Sequence, residues 1–160
     1  MTIKVGDRIP SATLRRMTAD GPVELSTDAL FSGKRVALFG LPGAFTPTCS
    51  AKHLPGFVAN ADALKAKGVD AIACVSVNDA FVMDAWGKDQ NVGDAVMMLA
   101  DGSAEFTRAL GLELDLIARG LGVRSQRYSM VVEDGVVAAL HLEESPGLNV
   151  SDAETLLGDL

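Results

Sequence analysis

Arg35-Val36-Ala37-Leu38-Phe39-Gly40-Leu41-Pro42-Gly43-Ala44-Phe45-Thr46-Pro47-Thr48-Cys49-Ser50-Ala51-Lys52-His53-Leu54 takes the chain from a strand, through a loop, into a helix. Arg35 to Phe39 is a short apolar run of strand type. Two prolines and a glycine interrupt it before Cys49. Thr46 suits the helix N-cap, because its hydroxyl can accept from a first-turn N–H. Pro47 then takes the first helical position, where a missing N–H costs nothing. Cys49 falls in the first turn, facing the positive end of the helix and its unpaired N–H groups. Those conditions make a thiol reactive at neutral pH. The plainer reading, a small cysteine buried in a turn, is disfavoured by the Thr-Pro-x-Cys entrance.

Outward from that stretch the chain reads as α/β. Towards the N-terminus, Ser11 to Arg15 is expected as an edge strand, with Pro10 at its margin. Asp20-Gly21-Pro22 is a turn, Val23-Glu24-Leu25 its partner strand, and Ser26 the cap of a brief helix over Thr27 to Leu30. Beyond Cys49, Pro55-Gly56 predicts a kink or break. Phe57, Ala61, Leu64 and Ala66 continue a helical pattern, which Gly68 stops. Ala71 to Val77 is apolar throughout and suits a strand buried on both faces. Asn78-Asp79 caps a helix from Ala80 to about Lys88, and Val96 to Ala100 is another buried strand. A helix is expected from Ala104 to Leu110. Gly111 to Arg124, with three glycines and mixed charge, reads as mostly irregular. Tyr128 to Glu133 and Val136 to Leu142 are strands joined by Asp134-Gly135, a strong hairpin signal. Asp152 to Leu160 is a closing helix. The pattern predicts a mixed sheet in one domain over residues 1–160.

Bulk properties narrow the function. Fourteen Lys and Arg against 21 Asp and Glu give a net charge of −7 without any basic cluster. Nucleic acid and anionic membrane are therefore poor partners, and no apolar run has the length of a membrane span. Met1 to Asp7 lacks the basic-then-apolar pattern of a signal peptide. Two cysteines make no disulfide framework, so a reducing, cytoplasmic setting is expected. A mature organellar chain stays open. Two scattered His and two Cys form no metal site, and no phosphate loop or dinucleotide fingerprint is present, so no cofactor is expected.

Pro42, Thr46 and Cys49 fit Pro-x-x-x-Thr-x-x-Cys, which resembles the active-site signature of the peroxiredoxins. The longer string Pro-Gly-Ala-Phe-Thr-Pro-Thr-Cys-Ser, then His53-Leu54-Pro55-Gly56-Phe57, resembles the type II, or peroxiredoxin-five, subfamily. Cys74-Val75-Ser76-Val77-Asn78-Asp79 and Arg127 to Gly135 extend the match. The resemblance implies a thioredoxin-like fold, a central mixed sheet flanked by helices. It also implies a peroxidase acting on hydrogen peroxide and alkyl hydroperoxides, in antioxidant defence and redox homeostasis. Cys49 would be the nucleophile, becoming a sulfenic acid. Thr46 would orient the peroxide, the backbone N–H groups of Thr48 and Cys49 would be donors, and Pro42 would shield the sulfur.

A fixed cation is also needed. The residues alone leave Arg124 and Arg127 open, and the resemblance selects Arg127, leaving Arg124 at the surface. Cys74, in an apolar strand, is expected to be an inert core residue; the rival reading makes it a resolving cysteine. Family members that close an intramolecular disulfide carry that cysteine near the C-terminus, where this chain has Val150 in Gly147-Leu148-Asn149-Val150-Ser151. A one-cysteine cycle is therefore expected, with glutathione and glutaredoxin as reductant and thioredoxin as the alternative.

His53 sits four residues after Cys49, which invites a Cys–His hydrolase reading. No third residue to orient it is evident, and packing under the loop is expected instead. His141 has no partner in view. The family commonly forms homodimers, and Phe45 and Phe81 are the candidate contacts. The competing reading from another class is a thioredoxin-like binding or redox-sensing protein whose cysteine oxidises without turnover.

Overall fold

Ala19 and Asp20 turn β1 (Thr13–Thr18) back onto β2 (Gly21–Ser26), pairing Thr18 with Gly21 and Thr13 with Ser26. The computed structural model describes residues 2–160. Met1, the first residue of the expected domain range, lies outside the described residues. β1 is not an edge, which corrects the reading of Ser11 to Arg15. Its free side takes β5 (Met97–Ala100) through Arg15 and Ala100, and β2 becomes the outer strand. Pro22 is tolerated there, because an edge position needs no ladder donor.

The centre is parallel. β3 (Arg35–Leu41) pairs with β4 (Ala71–Ser76), and β4 with β5. β8 (Tyr128–Glu133) runs antiparallel to β3 and folds through Asp134-Gly135 into β9 (Val136–Leu142). Both turn residues have positive φ, 47° and 80°, as such a tight hairpin demands. The seven strands lie in the order β2-β1-β5-β4-β3-β8-β9, a mixed sheet as the sequence predicts.

Strand alternation sorts the side chains onto two faces. Val36, Leu38, Ala73, Val75, Tyr128 and Met130 meet α1 (Thr27–Phe31) and α5 (Glu105–Leu110). Ala37, Phe39, Leu41, Ile72, Cys74 and Val131 meet α2 (Leu54–Ala59), α3 (Ala61–Ala66), α4 (Ala80–Asp89) and α6 (Ala153–Leu157). Asp79 caps α4 by accepting from Val82 N at 2.9 Å, and Asp152 caps α6 by accepting from Thr155 N at 3.3 Å.

Two further expectations fail. The helix does not break at Pro55-Gly56. A π-helical turn over Cys49–His53, closed by Leu54 N–H on the Cys49 carbonyl, leads straight into α2, and the interruption comes at Asn60. Pro55 has no N–H to offer the Ala51 carbonyl. The wider turn lies directly before it and puts Pro55 at the start of α2, where it is tolerated. Gly111 to Arg124 is not irregular either. β6 (Glu113–Leu116) and β7 (Gly122–Ser125) form a separate two-stranded ribbon. Gly120 and Gly122, at φ 75° and 68°, supply the left-handed turn between them.

Candidate active site

The C-terminal end of β3 delivers the loop to the mouth of the parallel strands, where open α/β sheets place their sites. Asn78, just past β4, anchors it: Asn78 Oδ1 accepts from Ala44 N at 3.0 Å and from Ser76 Oγ at 2.6 Å. Phe45 adopts φ 63°, unusual for a bulky residue. Thr46 stands where the helix begins, and its carbonyl accepts from Ser50 N at 2.9 Å. Its hydroxyl does not cap the helix as expected. It donates to the Gly43 carbonyl at 2.7 Å, closing the turn from Gly43 to Thr46. Pro42 is half-buried in the same loop.

Cys49 is fully buried in the first turn. Arg127, one residue before β8, shares its face of the sheet with Val131 by strand period. Arg127 Nη2 donates to Cys49 Sγ at 3.1 Å, and Nη1 meets His53 Nδ1 at 2.9 Å. The arginine is only 8% exposed. Among the described residues no carboxylate lies within 4.0 Å of its guanidinium. A buried charge without a counter-charge is costly, and the polar groups its Nη atoms reach are the Cys49 sulfur and the His53 ring.

Tyr128 locks the strand beside Arg127. Its ring covers Gly40 so closely that a Cβ there would come within 2.3 Å.

His53 was foreseen as packing under the loop, but its contact with Arg127 was not. Its Nε2 meets the Ser151 carbonyl at 3.0 Å. A guanidinium can only donate, so Nδ1 accepts and Nε2 carries the proton. Burial, and then the charge of Arg127, push its pKa down to about 3, against opposing pulls from Ser151, Glu143 and Asp152. The imidazole is therefore neutral, and no bond joins it to Cys49.

Cys74 lies in the same apolar cluster as Cys49, mid-strand in β4, and its thiol is free and buried. Burial, and then the neighbouring Cys49, push its thiol well above the ordinary range. Arg124 departs from the surface reading. It is half-buried, with Nη1 donating to the Pro42 carbonyl at 3.4 Å and Nε to the Leu121 carbonyl at 2.8 Å. His141 does find a partner, Asp159 Oδ2 at 2.5 Å. Trp86 Nε1 donates to Ser50 Oγ at 3.0 Å and ties α4 to the turn that carries Cys49.

The Redoxin family profile matches residues 4–157. Chloroplastic peroxiredoxin-2E-2 of Oryza sativa subsp. japonica is 56% identical over 161 residues, spanning 98% of this chain and 72% of that protein. Peroxiredoxin-2B of Arabidopsis thaliana is 49% identical over 156 residues, spanning 97% and 96%. The crystal structure of reduced Prx3 from Vibrio vulnificus, in complex with H2O2, superposes with a TM-score of 0.94 at 55% identity, covering 98% of each chain. The likeness carries the thioredoxin-like arrangement of mixed sheet and flanking helices. The matched range spans the loop, the first-turn cysteine and the arginine strand, and with these relatives it shows that the chain belongs to the peroxiredoxin family, the thiol peroxidases of antioxidant defence.

Proposed function

We propose that Cys49 reduces hydrogen peroxide and alkyl hydroperoxides in a one-cysteine cycle of the type II, peroxiredoxin-five, kind. The observation that carries this reading is Arg127, a buried guanidinium with Sγ 3.1 Å away and, among the described residues, no carboxylate within 4.0 Å. The thiolate attacks the nearer peroxide oxygen. An S–O bond forms as the O–O bond breaks, and the leaving oxygen departs with the electron pair and takes up a proton. Sulfur is oxidised to the sulfenic acid and the peroxide becomes water or an alcohol.

Thr46 already donates to Gly43, so its hydroxyl oxygen keeps lone pairs to accept the peroxide O–H. Arg127 and the first-turn N–H groups of Thr48 and Cys49 stabilise the charge growing on the leaving oxygen. Pro42 covers the sulfur. A two-oxygen substrate needs no large cavity. A cleft of about 670 Å³ lies elsewhere, at the far end of the sheet, between Arg16, Lys65, Asp84 and Met98.

Val150 stands where a C-terminal resolving cysteine would be, and Cys74 is locked in β4. An outside thiol therefore completes the cycle. Glutathione displaces water from the sulfenic acid, and a second glutathione, or glutaredoxin, releases Cys49. We place the chain in the reducing cytoplasm, as one domain. We further propose a homodimer that covers Phe45 and Phe81, which are 52% and 66% exposed. Sedimentation of a Phe45→Glu, Phe81→Glu double variant tests the contact, with monomers expected.

Intact mass of the reduced protein after one equivalent of hydrogen peroxide, then after glutathione, tests the cycle. Gain of one oxygen, then its replacement by a glutathione adduct, is expected. Loss of two hydrogens would mean a Cys49–Cys74 disulfide. Turnover with thioredoxin but not with glutathione would change the reductant.

A further inference from the structure

Glu143 follows β9 directly across from Arg127, and its N–H donates to the Arg127 carbonyl at 3.0 Å. Its carboxylate is turned away from solvent, with the residue 7% exposed. One oxygen, Oε2, accepts from Asn149 N at 2.9 Å, Val150 N at 2.9 Å, Ser151 N at 2.8 Å and Ser151 Oγ at 2.7 Å. Successive backbone N–H groups that converge on one atom form a cradle for an anion. Burial raises the Glu143 pKa, but the Ser151 hydroxyl and the three backbone donors outweigh it and hold the carboxyl below its ordinary range. The cradle fixes Ser151, whose carbonyl meets His53 Nε2, while His53 Nδ1 meets Arg127.

We propose that Glu143 is a positioning residue for the arginine at the active site: by clamping residues 149–151 it presents the Ser151 carbonyl that keeps the His53 proton on Nε2, and so holds Arg127 against Cys49. The proposal rests on the reading of Cys49 and Arg127 given above. The logic is one of donors and acceptors. Arg127 has only N–H groups to offer, so His53 Nδ1 must be bare. A bare Nδ1 requires a protonated Nε2, and a buried N–H requires an acceptor. Ser151 is that acceptor only while its loop is clamped. Once the loop is released, the proton is free to move to Nδ1, two N–H groups face one another, and the guanidinium is displaced.

Glu143→Gln tests this, since it keeps the size and removes the charge. Nitrogen-15 NMR of labelled histidines should give the neutral Nε2–H form for His53 in the parent protein and a mixture of tautomers in the variant. Quenched-flow mass analysis of Cys49 oxidation should show a rate roughly 10- to 100-fold lower, the scale of an ångström-level misplacement. Arg127→Gln in parallel tests the parent reading alone, and its unchanged rate would sink that reading whatever Glu143 does. With Arg127→Gln slow, a Glu143→Gln protein of parental rate and parental His53 signal overturns the relay. A slow variant with an unchanged His53 signal overturns it too, because the clamp would then be merely structural. Should Glu143→Gln not fold, Ser151→Ala removes one of the four donors. It is expected to shift the His53 signal and slow oxidation by about threefold, on the same misplacement scale, and no change in either overturns the proposal.

Discussion

Cys49 and Cys74 are equally buried and share one apolar cluster, yet their chemistry differs. Cys74 stands mid-strand opposite Phe39 and Met98, where burial suppresses its thiolate. Cys49 stands in a first helical turn with a guanidinium 3.1 Å away. On the proposed reading, exposure therefore does not separate a working cysteine from a packing one. Contact with a positive charge brought in from a distant strand does.

The largest test of that contrast is Cys49→Ser. Peroxide consumption with an added thiol system should fall at least about a thousandfold, the scale on which an essential nucleophile acts. Rescue by Cys74 would abolish the distinction. Arg127→Gln should lower the single-turnover rate by about 10²–10³-fold, the scale of one lost charge-stabilising donor, with far-UV circular dichroism unchanged. A rate near the parent's would leave the difference between the cysteines without a cause.

The next test concerns stability. His53 has a folded pKa of about 3 against an ordinary 6.5, so the unfolded chain takes up the proton first as pH falls. The stability gained by keeping this ring neutral is fully present above pH 6.5 and is lost as pH drops towards 3. Urea unfolding should show a loss of about 2 kcal/mol between pH 7 and pH 5, absent in His53→Gln. Glu143, held below 4.5, adds its own loss only in more acid solution. The smallest effect is that of Cys74→Ala. It should leave the oxidation rate within about twofold and cost about 1 kcal/mol of stability, a typical core truncation. A collapse of turnover instead would make Cys74 a working residue.

What the sequence disclosed was local. Thr46-Pro47 marks a helix start, Ala71 to Val77 a doubly buried strand, and Asp134-Gly135 a hairpin, because each signal acts within a few residues. Arg127 was not chosen over Arg124 by its own neighbourhood; the resemblance chose it. The partnership of His53 with residues 74 and 98 positions away was invisible, since only the closed sheet brings them together. The hidden ribbon from Glu113 to Ser125 was masked by its glycines, which mark a turn as readily as disorder. The π-helical turn has no local code at all. It is one surplus residue absorbed ahead of Pro55.

The chain contains one tryptophan, and it is bonded to the residue next to Cys49. Emission excited beyond the absorption of Tyr128 therefore has a single source, held against the neighbour of Cys49. Any rearrangement that follows oxidation of the sulfur should change its intensity. The molecule thus carries its own lamp, and each variant above can be followed by light on the millisecond scale with no attached dye.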